Sequence, residues 1–484
     1  MTDVHLQYIN AVHCKIKCEP SILMELSEHF TYFAENYKFS PKYKNKVWDG
    51  KIRLVNRMTG VIYAGLAKRI KSFCDQANYT FSFDEELMYD NVSEKELTDF
   101  VETIGLPTDK AVRDYQFDSI IKCLRSKRRT LLSPTSSGKS LMIYIISRWY
   151  AKKTLIIVPT LGLVTQMASD FRSYGFGGTI HTSIEGLIKD KNIESDIVIT
   201  TWQSLDNGKT KVPKQWYSQF DVVFGDEAHG CKATSLIKIL SNMESTQYRF
   251  GTTGTLDNLE LNKVTIEGLF GPQYKSITTR ELIDQGYASN LKIKCIVLKY
   301  PEEISKDLRG KNYKEEVDFL VGYTKRTDFI KNLALSLEGN KLIFFRFKDH
   351  GDLIYKSLEG SNKNIFYIDG VVKASERERI RHAIEDEESA ILVASLGTTS
   401  TGVSINKLHH MIAASPSKSK IKVLQSIGRM LRQHAEKNEA ILYDIVDDLS
   451  IKTHKNYTLK HFEERAKIYD SESFDYKIYS VRLK

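Results

Sequence analysis

Short runs in which nearly every residue is apolar or β-branched recur along most of this chain, and helical segments separate them. A strand that is apolar on both faces is covered on both sides, as strands of a parallel sheet are. Strands that alternate with helices predict an α/β fold with doubly wound sheets. The runs form two series, the first at 154–158, 196–200 and 221–224 and the second at 341–345, 364–368, 390–394, 410–413 and 440–444. The sequence therefore predicts two parallel-sheet lobes in tandem.

Both ends of the chain lie outside these two series. The length of 484 residues is enough for about three domains. A stretch at 83–102 is rich in acidic residues, as a solvated helix or connector is, and marks a boundary. We predict a small α+β N-terminal domain with this connector at 1–105, a first lobe at 106–285, a second lobe at 286–450 and a helical extension at 451–484.

Composition excludes several classes of protein. No run of about 18 apolar residues is present, so we expect no membrane span. The first residues are polar where a signal peptide has its apolar core, and the six cysteines form no CxxC pair. We therefore expect free thiols in a reducing cytoplasm rather than disulfides or a zinc site. The 70 basic and 61 acidic residues leave a net charge of +9, which permits an anionic partner without requiring one.

Residues 131–140 have the order that a phosphate-binding loop requires: an apolar strand end, a loop of small residues and a helix start. Backbone N–H groups of such a loop surround a phosphate, and the helix dipole adds to the attraction. Lys139 supplies a charge to the β- and γ-phosphates, and the Ser140 hydroxyl ligates Mg²⁺. The predicted ATP-binding loop is Ser133, Pro134, Thr135, Ser136, Ser137, Gly138, Lys139 and Ser140. Ser133 stands where the usual pattern has glycine, and the alternative interpretation is an ordinary turn.

Two adjacent carboxylates, Asp226 and Glu227, follow the apolar run at 221–224. The C-terminal ends of parallel strands are where open α/β sheets bind ligands. We predict that Asp226 holds Mg²⁺ and that Glu227 orients and deprotonates the attacking water. The alternative is a solvated acidic turn after a strand.

The two segments together resemble motifs I and II of the superfamily 2 helicases, and further motifs of that family follow in order between 113 and 432. The resemblance implies two RecA-like P-loop lobes that bind ATP and Mg²⁺. It implies that Gln116 recognises adenine. It also implies ATP binding by Arg113, Asp226 and Gly402. It implies that His229, Thr253 and Thr255 couple ATP hydrolysis to movement. The catalytic residues that it implies are Gln425, Arg429 and Arg432, beside Lys139 and Glu227.

The last of these motifs has the spacing Gln-x-x-Gly-Arg-x-x-Arg, from Gln425 to Arg432. On a helix these positions share one face. Arg429 and Arg432 would then neutralise charge on the transferred phosphoryl group, an effect worth about 10³–10⁵ in rate. The alternative, a basic solvated helix face, accounts for the arginines but not for Gln425 and Gly428.

Hydroxyl-bearing residues of the other motifs suit contacts to a nucleic-acid backbone, which carry no sequence information. Our candidates are Thr160, Thr201, Ser395 and Thr399. The alternative is that these residues cap helices after the strands.

The segment 37–53 interleaves lysines with aromatic residues, and Asp49-Gly50 predicts a tight hairpin turn. Lysines would contact phosphates and Trp48 would stack on bases, so the predicted nucleic-acid residues here are Lys42, Lys44, Lys46, Trp48 and Lys51. The alternative is a strand pair whose aromatics form a core and whose lysines face water. This segment, placed ahead of the helicase motifs, resembles the phage UvsW-type branched-DNA helicases.

That resemblance implies an ATP- and Mg²⁺-dependent DNA helicase, a monomer, that regresses forks, migrates Holliday junctions and unwinds R-loops in recombination, repair or replication. Two alternatives remain at this point. One is a translocase that moves on duplex DNA without separating strands, and the other is a passive nucleic-acid-binding protein with a degenerate ATPase. The intact Lys139, Asp226 and Glu227 argue against the second.

Overall fold

The computed structural model describes most of the chain and divides it into two compact units. The described residues are 2–88, 90–184, 188, 193–206, 212–232, 234–256, 259–399, 405–415, 424, 427–428, 430–431, 434, 437 and 439–483. One unit comprises Met1–Ser133 with Gly138–Ser276, and the other comprises Pro134–Ser137 with Ile277–Lys484.

The N-terminal domain is built around a mixed four-stranded sheet in the order β5-β2-β1-β6, with β3 and β4 forming a separate antiparallel ribbon. Its elements are β1 (Val4–Tyr8), β2 (His13–Cys18), α1 (Pro20–His29), β3 (Thr31–Phe33), α2 (Pro41–Lys44), β4 (Lys51–Arg53), β5 (Val61–Tyr63), α3 (Ala67–Ala77) and β6 (Phe81–Phe83). Residues alternate in β1, where Val4 and Leu6 are buried and His5 is half-buried. The apolar positions meet α1 and α3 in one core.

The predicted tight hairpin at Asp49-Gly50 is wrong. Strand β4 pairs with β3, with Phe33 opposite Lys51, so residues 34–50 form the connection between them. Gly50 has φ +78° and its carbonyl accepts a hydrogen bond from the Ala34 N–H at 2.9 Å. The glycine is required because a Cβ there would meet the Tyr37 ring. Asp49-Gly50 therefore closes a long loop rather than forming a two-residue turn.

The acidic stretch forms a helix, α4 (Glu94–Thr103), with a capping box between Ser93 and Glu96. Its acidic face is exposed, but Leu97 is buried in the core of the first lobe. The helix therefore packs on that lobe through one apolar side, which is the expected arrangement for an amphipathic surface helix.

The first lobe contains seven parallel strands in the order β13-β7-β12-β11-β8-β10-β9. Its elements are α5 (Asp114–Ser126), β7 (Arg128–Leu132), α6 (Lys139–Tyr150), β8 (Thr154–Val158), α7 (Leu161–Ser173), β9 (Ile180–His181), β10 (Ile197–Thr201), α8 (Trp202–Leu205), α9 (Lys214–Tyr217), β11 (Val222–Asp226), α10 (Thr234–Ser241), β12 (Tyr248–Thr253), α11 (Glu260–Phe270) and β13 (Gln273–Lys275). All five residues of β8 are buried, as the apolar run predicted. The strands β7, β12 and β11 are neighbours, so their C-terminal ends meet at one edge.

The second lobe also contains seven parallel strands, in the order β16-β17-β15-β18-β19-β14-β20. Its elements are α12 (Thr279–Asp284), β14 (Asn290–Lys299), α13 (Glu302–Leu308), α14 (Tyr313–Gly322), α15 (Thr324–Ser336), β15 (Lys341–Phe345), α16 (Lys348–Leu358), β16 (Ile365–Ile368), α17 (Ala374–Glu385), β17 (Ile391–Ser395), α18 (Leu396–Thr399), β18 (His410–Ala413), β19 (Glu439–Asp448), α19 (Tyr457–Ser471) and β20 (Tyr476–Arg482). The predicted α/β class with two parallel-sheet lobes and a small N-terminal domain is confirmed.

The C-terminal residues differ from the predicted helical extension. After α19 the chain forms β20, which pairs in parallel with β14 so that Tyr476 lies opposite Ile293. The tail is therefore the edge of the second sheet. Its half-exposed residues lack the continuous apolar run of a central strand, which is why the sequence pattern did not predict a strand there.

The cysteines whose side chains are described, Cys14, Cys18, Cys74, Cys123 and Cys295, are free thiols. Burial raises the pKa of the Cys14 thiol to about 12, so this side chain stays protonated at neutral pH. Within the described residues, the helices are too short or too polar to cross a membrane.

Candidate active site

The predicted phosphate-binding loop lies at the C-terminal end of β7. Ser133 is fully buried, and its N–H donates a hydrogen bond to the Thr253 carbonyl at 2.9 Å, which ties the loop to the end of β12. Helix α6 starts at Lys139, and the Lys139 Nζ donates to the Ser133 carbonyl at 3.2 Å. The lysine thus bends back over the loop, while Ser140 lies half-buried in the first turn of the helix.

Gly138 has φ +77°, a backbone conformation that favours glycine. A Cβ at this position would lie 2.3 Å from Nε2 of Gln116, so the glutamine amide packs directly on the loop. The Gln116 Oε1 accepts from the Arg113 N–H at 3.0 Å and caps helix α5. The structure thus places Gln116 and Arg113 next to the loop, and their recognition of adenine stays a prediction.

The two predicted carboxylates lie at the adjoining end of β11. Asp226 is the last residue of the strand, and its Oδ1 accepts a 2.6 Å hydrogen bond from the Thr252 hydroxyl on β12. Burial raises the pKa of the Asp226 carboxyl, the charge of Glu227 raises it further, and Lys139 lowers it. Glu227, the next residue, has φ +53°, a left-handed backbone conformation that is strained for a residue other than glycine.

The residues predicted to couple ATP to movement form a connected chain with Glu227. Nδ1 of His229 lies 3.1 Å from Glu227 Oε2 and 3.0 Å from Thr253 Oγ1. The Thr253 hydroxyl donates to the Thr255 carbonyl at 2.8 Å, so it accepts from His229. Nδ1 of His229 therefore carries a hydrogen that the Thr253 hydroxyl accepts, and Glu227 Oε2 lies 3.1 Å from the same nitrogen.

Two neighbours of this chain were missed by the sequence interpretation. Thr252 lies opposite Asp226 in the β11–β12 register, which is why its hydroxyl reaches the carboxylate. The Phe270 ring of α11 lies against the backbone beneath both strands, because a Cβ on Gly225 or Gly251 would come within 2.9 Å of it. The Gly-Thr-Thr-Gly-Thr run pointed to Thr252, but only the register distinguishes it from Thr253.

The predicted backbone-contacting hydroxyls of the first lobe cap helices. Thr160 Oγ1 accepts from the Leu163 N–H at 3.4 Å and Thr201 Oγ1 accepts from the Ser204 N–H at 3.2 Å. In the second lobe, Ser395 ends β17 and Thr399 ends α18. Contact of these residues with nucleic acid stays a prediction. The predicted Gly402, Gln425, Arg429 and Arg432 lie outside the described residues.

The basic segment of the N-terminal domain forms the connection between β3 and β4. Lys42, Lys44 and Lys46 are exposed. Lys51 Nζ lies 5.4 Å from the centre of the Phe33 ring, and the Trp48 indole N–H donates to the Lys51 carbonyl at 3.0 Å. Lys42, Lys44 and Lys46 thus face solvent and Lys51 is half-buried, whereas the half-buried Trp48, predicted to stack on bases, holds the loop together.

The N-terminal domain is held on the first lobe by polar contacts. Arg69 of α3 donates to Glu267 at 2.7 Å and to Glu260 at 3.1 Å, both on α11. Ala11 donates its N–H to the Glu244 carbonyl and accepts from Arg128 Nη2, each at 2.8 Å. Helix α11 also carries Phe270 as its last residue, so it contacts both the N-terminal domain and the strands of the carboxylate site.

Comparison with known proteins agrees with this arrangement. Profiles described as "DNA helicase UvsW, N-terminal", "Type III restriction enzyme, res subunit" and "Helicase conserved C-terminal domain" match residues 3–84, 109–258 and 324–434. The ATP-dependent DNA helicase uvsW of Enterobacteria phage T4 is 34% identical over 508 aligned positions, which cover 99% of this chain and 100% of the relative. The DNA 3'-5' translocase XPB2 of Sulfurisphaera tokodaii is 24% identical over 69% of this chain and 81% of its own.

Solved structures lead to the same family. The crystal structure of T4 UvsW aligns with 100% of both chains at 33% identity and a TM-score of 0.50. A type ISP restriction-modification enzyme bound to DNA, at 14% identity and a TM-score of 0.58 over 78% of this chain and 31% of its own, shares the fold. The resemblance stated from the motifs is confirmed, and the chain belongs to the UvsW family of superfamily 2 ATP-dependent DNA helicases.

Proposed function

We propose that this helicase remodels branched DNA: that it regresses forks, migrates Holliday junctions and unwinds R-loops as a Mg²⁺- and ATP-dependent monomer in the cytoplasm. The observation that carries the proposal is the exposed lysine-bearing loop of the N-terminal domain, because contacts of Arg69 and Ala11 help to hold that domain on the ATP-binding lobe. DNA bound by this loop would be held at a constant place relative to the phosphate-binding loop. The proposed division of labour assigns DNA binding to 1–105, ATP binding to 106–285 and the second motor lobe to 286–450, and strand β20 of the segment 451–484 completes the sheet of that second lobe.

The ATP site supports a hydrolysis mechanism in which each residue has one task. Lys139 and the N–H groups of the loop bind phosphates, and Asp226 with Ser140 offers the hard oxygen ligands that Mg²⁺ prefers. Two adjacent carboxylates at a buried strand end, with the pKa of Asp226 raised by burial, fit a divalent cation there. The cation would neutralise charge on the phosphates. Glu227 accepts the proton of the attacking water.

The chain from Glu227 through His229 to Thr253 supports a coupling role for these residues. When Glu227 accepts a proton, it loses the negative charge that lies 3.1 Å from His229 Nδ1, and the electrostatic attraction between the two side chains weakens. The change passes to Thr253 through the 3.0 Å contact. We propose that Arg429, Arg432 and Gln425 complete the site from the second lobe and that Gly402 contributes to the nucleotide contact.

The proposal is tested by changing Lys42, Lys44, Lys46 and Lys51 to glutamine together. Each phosphate contact releases a condensed counterion, so loss of four contacts should flatten the plot of log affinity against log salt by about three to four units of slope. Binding is measured with a four-way junction over a salt titration. Unwinding of forks and junctions should fall more than basal ATP turnover, because the lobes keep all their ATP-binding residues.

A matched control makes the same charge change on exposed lysines of the second lobe: Lys306, Lys311, Lys314 and Lys325. Equal salt slopes for the loop variant and the wild type, with equal melting temperatures, would contradict the DNA-binding role of the loop. Displacement of a triplex-forming strand without displacement of a duplex strand would instead identify a duplex translocase.

A further inference from the structure

The loop between β3 and β4 exposes apolar side chains that its fold does not use. Phe39 is 75% exposed and Val47 is 78% exposed. The loop thus presents two apolar side chains, one of them aromatic, among its lysines. Contacts within the loop show which of its aromatic rings hold the loop together and which do not.

The other aromatic rings of this loop are occupied with one another. Tyr37 stacks on Phe33 with ring centres 4.6 Å apart, and Tyr43 meets Tyr37 edge-on at 4.9 Å. Trp48 is held by its hydrogen bond to the Lys51 carbonyl. These rings give the loop its shape, so Phe39 remains as the aromatic ring that the loop presents most fully to solvent.

Backbone hydrogen bonds order the loop around these exposed side chains. The Phe39 N–H donates to the Asn36 carbonyl at 2.9 Å. The N–H groups of Val47 and Trp48 both donate to the Lys42 carbonyl, at 2.9 and 3.2 Å. The loop is therefore folded back on itself, and a ligand that meets Phe39 need not order the backbone first, which lowers the entropy lost on binding.

The charge of the loop indicates the kind of ligand. From Phe33 to Arg53 the sequence has five lysines and one arginine against two acids, Glu35 and Asp49, which leaves a net charge of 6 − 2 = +4. Asp49 is paired with Arg53. A ligand that satisfies both the lysines and the exposed ring has a negatively charged backbone and a flat apolar face. Single-stranded DNA has both, because its phosphates are charged and its bases are unpaired.

We propose that Phe39 stacks on an unpaired base at the branch point of the DNA, while the lysines of the same loop contact the phosphates on either side. This inference rests on the proposed function and adds the feature by which a branch is distinguished from continuous duplex. In a duplex both faces of each base are already stacked, so the ring has no apolar face to contact. At a branch or a single-stranded end, an unstacked base offers one.

The test compares Phe39→Ala, Phe39→Trp and wild type on a fork, a four-way junction and a fully paired duplex. Loss of stacking on one base, about 1–3 kcal/mol, corresponds to about 5- to 150-fold weaker binding of the fork. Phe39→Ala should show this loss on the branched substrates, leave duplex binding unchanged and keep the wild-type salt slope, because no charge is removed. Phe39→Trp should keep the fork binding that Phe39→Ala loses, and it should quench the fluorescence of 2-aminopurine placed at the branch point.

Met58→Ala is the matched control, because Met58 is 93% exposed on the same domain but lies outside the basic loop. Fork binding by Phe39→Ala that equals wild type, or a loss that is equal on fork and duplex, would overturn the inference. The lysine variant separates the two proposals. If the lysine variant changes the salt slope and Phe39→Ala has no effect, the stacking contact is rejected and the DNA-binding role of the loop stands. If Phe39→Ala weakens fork binding and the lysine variant keeps the wild-type salt slope, stacking is supported and the electrostatic part of the proposed function is rejected.

Discussion

The two lobes have the same sheet architecture, yet the carboxylates on one interior strand of each lobe have different kinds of partner. In the first lobe, Asp226 accepts from the neutral hydroxyl of Thr252 and lies beside another carboxylate, Glu227. In the second lobe, Asp444 and Asp447 of β19 each receive two hydrogen bonds from a buried arginine. Arg465 contacts Asp444 at 2.9 Å twice, and Arg326 contacts Asp447 at 2.7 and 3.0 Å.

The carboxylates of the second lobe therefore have a structural role, whereas those of the first lobe are the ones for which we propose a chemical role. Asp444 and Asp447 are three residues apart on a strand, so their side chains point to opposite faces of the sheet. Their arginines belong to α19 and α15, and each ion pair therefore fastens a helix to one face. A carboxylate held by a guanidinium has little remaining affinity for a cation. Asp226 instead lies beside a second carboxylate, whose charge helps to raise its pKa, and it is the carboxylate for which we propose a cation.

The largest effect is expected on ATP turnover, when a carboxylate of the first lobe is changed. Glu227→Gln removes the proposed base but keeps the shape of the side chain, and Asp226 stays in place. Mg²⁺-ATP should still bind, and hydrolysis should fall by orders of magnitude. Nucleotide binding is measured with a fluorescent ATP analogue and turnover by phosphate release. Normal hydrolysis, or loss of binding, would mean that the roles of the two carboxylates are assigned wrongly.

Lys139→Ala provides the comparison for that variant, since it removes a phosphate contact rather than the base. It should abolish hydrolysis and weaken nucleotide binding, while ATP-independent DNA binding and the melting temperature remain close to wild type. A folded Lys139→Ala protein with near-normal turnover would contradict the assignment of the phosphate-binding loop.

The second effect is on stability and should have opposite signs in the two lobes. Asp447→Asn leaves the Arg326 guanidinium buried without its charged partner, which costs about 3–5 kcal/mol. Asp226→Asn removes a carboxylate that is buried beside Glu227, so the first lobe should be as stable as wild type or more stable without nucleotide. Hydrogen exchange in peptides of each lobe, measured for both variants, reports the two stabilities separately.

Faster exchange in the first lobe of Asp226→Asn would show that this carboxylate also has a structural role. Unchanged exchange in the second lobe of Asp447→Asn would show that the buried ion pair contributes little. Either result would remove the contrast on which the comparison rests.

The smallest expected effect is a pH dependence of stability in the second lobe, caused by His350. His350 lies next to the Arg326–Asp447 pair, with Nε2 3.3 Å from Arg326 Nη1 and Nδ1 3.0 Å from Ser415 Oγ. Burial, and next the charge of Arg326, lowers the pKa of His350 to about 3. The guanidinium donates to Nε2, so a proton on that nitrogen would face a positive charge.

The sign of the pH effect follows from this lowered pKa. In the unfolded chain His350 takes up a proton as the pH falls below about 6.5, but in the folded chain it stays neutral, so the second lobe loses stability over that range. At pH 5 the loss should be about 2 kcal/mol. Denaturation at pH 7 and pH 5 for wild type and His350→Asn checks this, because asparagine does not titrate. An equal pH dependence in both proteins would contradict the role of His350.

Much of the fold and the ATP site was predictable, because it depends on local patterns. The buried run of β8 needs only consecutive apolar residues, and the loop at Gly138 needs only small residues between a strand and a helix. Parallel strands bring their C-terminal ends to one edge, so the sequence also predicted that Lys139 and Asp226 lie near each other.

Other features depend on contacts between distant residues and were not predictable in this way. The half-exposed strand β20 has an edge position that only its pairing with β14 explains. Trp48 and Phe39 are both aromatic residues in a basic loop, and only the folded loop shows that one is held inside and the other is exposed. The threonines of β12 likewise differ in role only through the register of that strand.

The sequence by itself determined the chemistry available to this protein: a phosphate-binding loop, a pair of adjacent carboxylates and a cationic, aromatic N-terminal segment. These depend on residue type and short spacing, which a chain carries whatever its tertiary structure. The tertiary structure decided which carboxylates are neutralised by arginine, which threonine reaches Asp226 and which aromatic ring of the basic loop faces solvent. Burial and pairing between residues far apart in the chain set these outcomes, because the free energy of a charge or an apolar surface depends on what surrounds it.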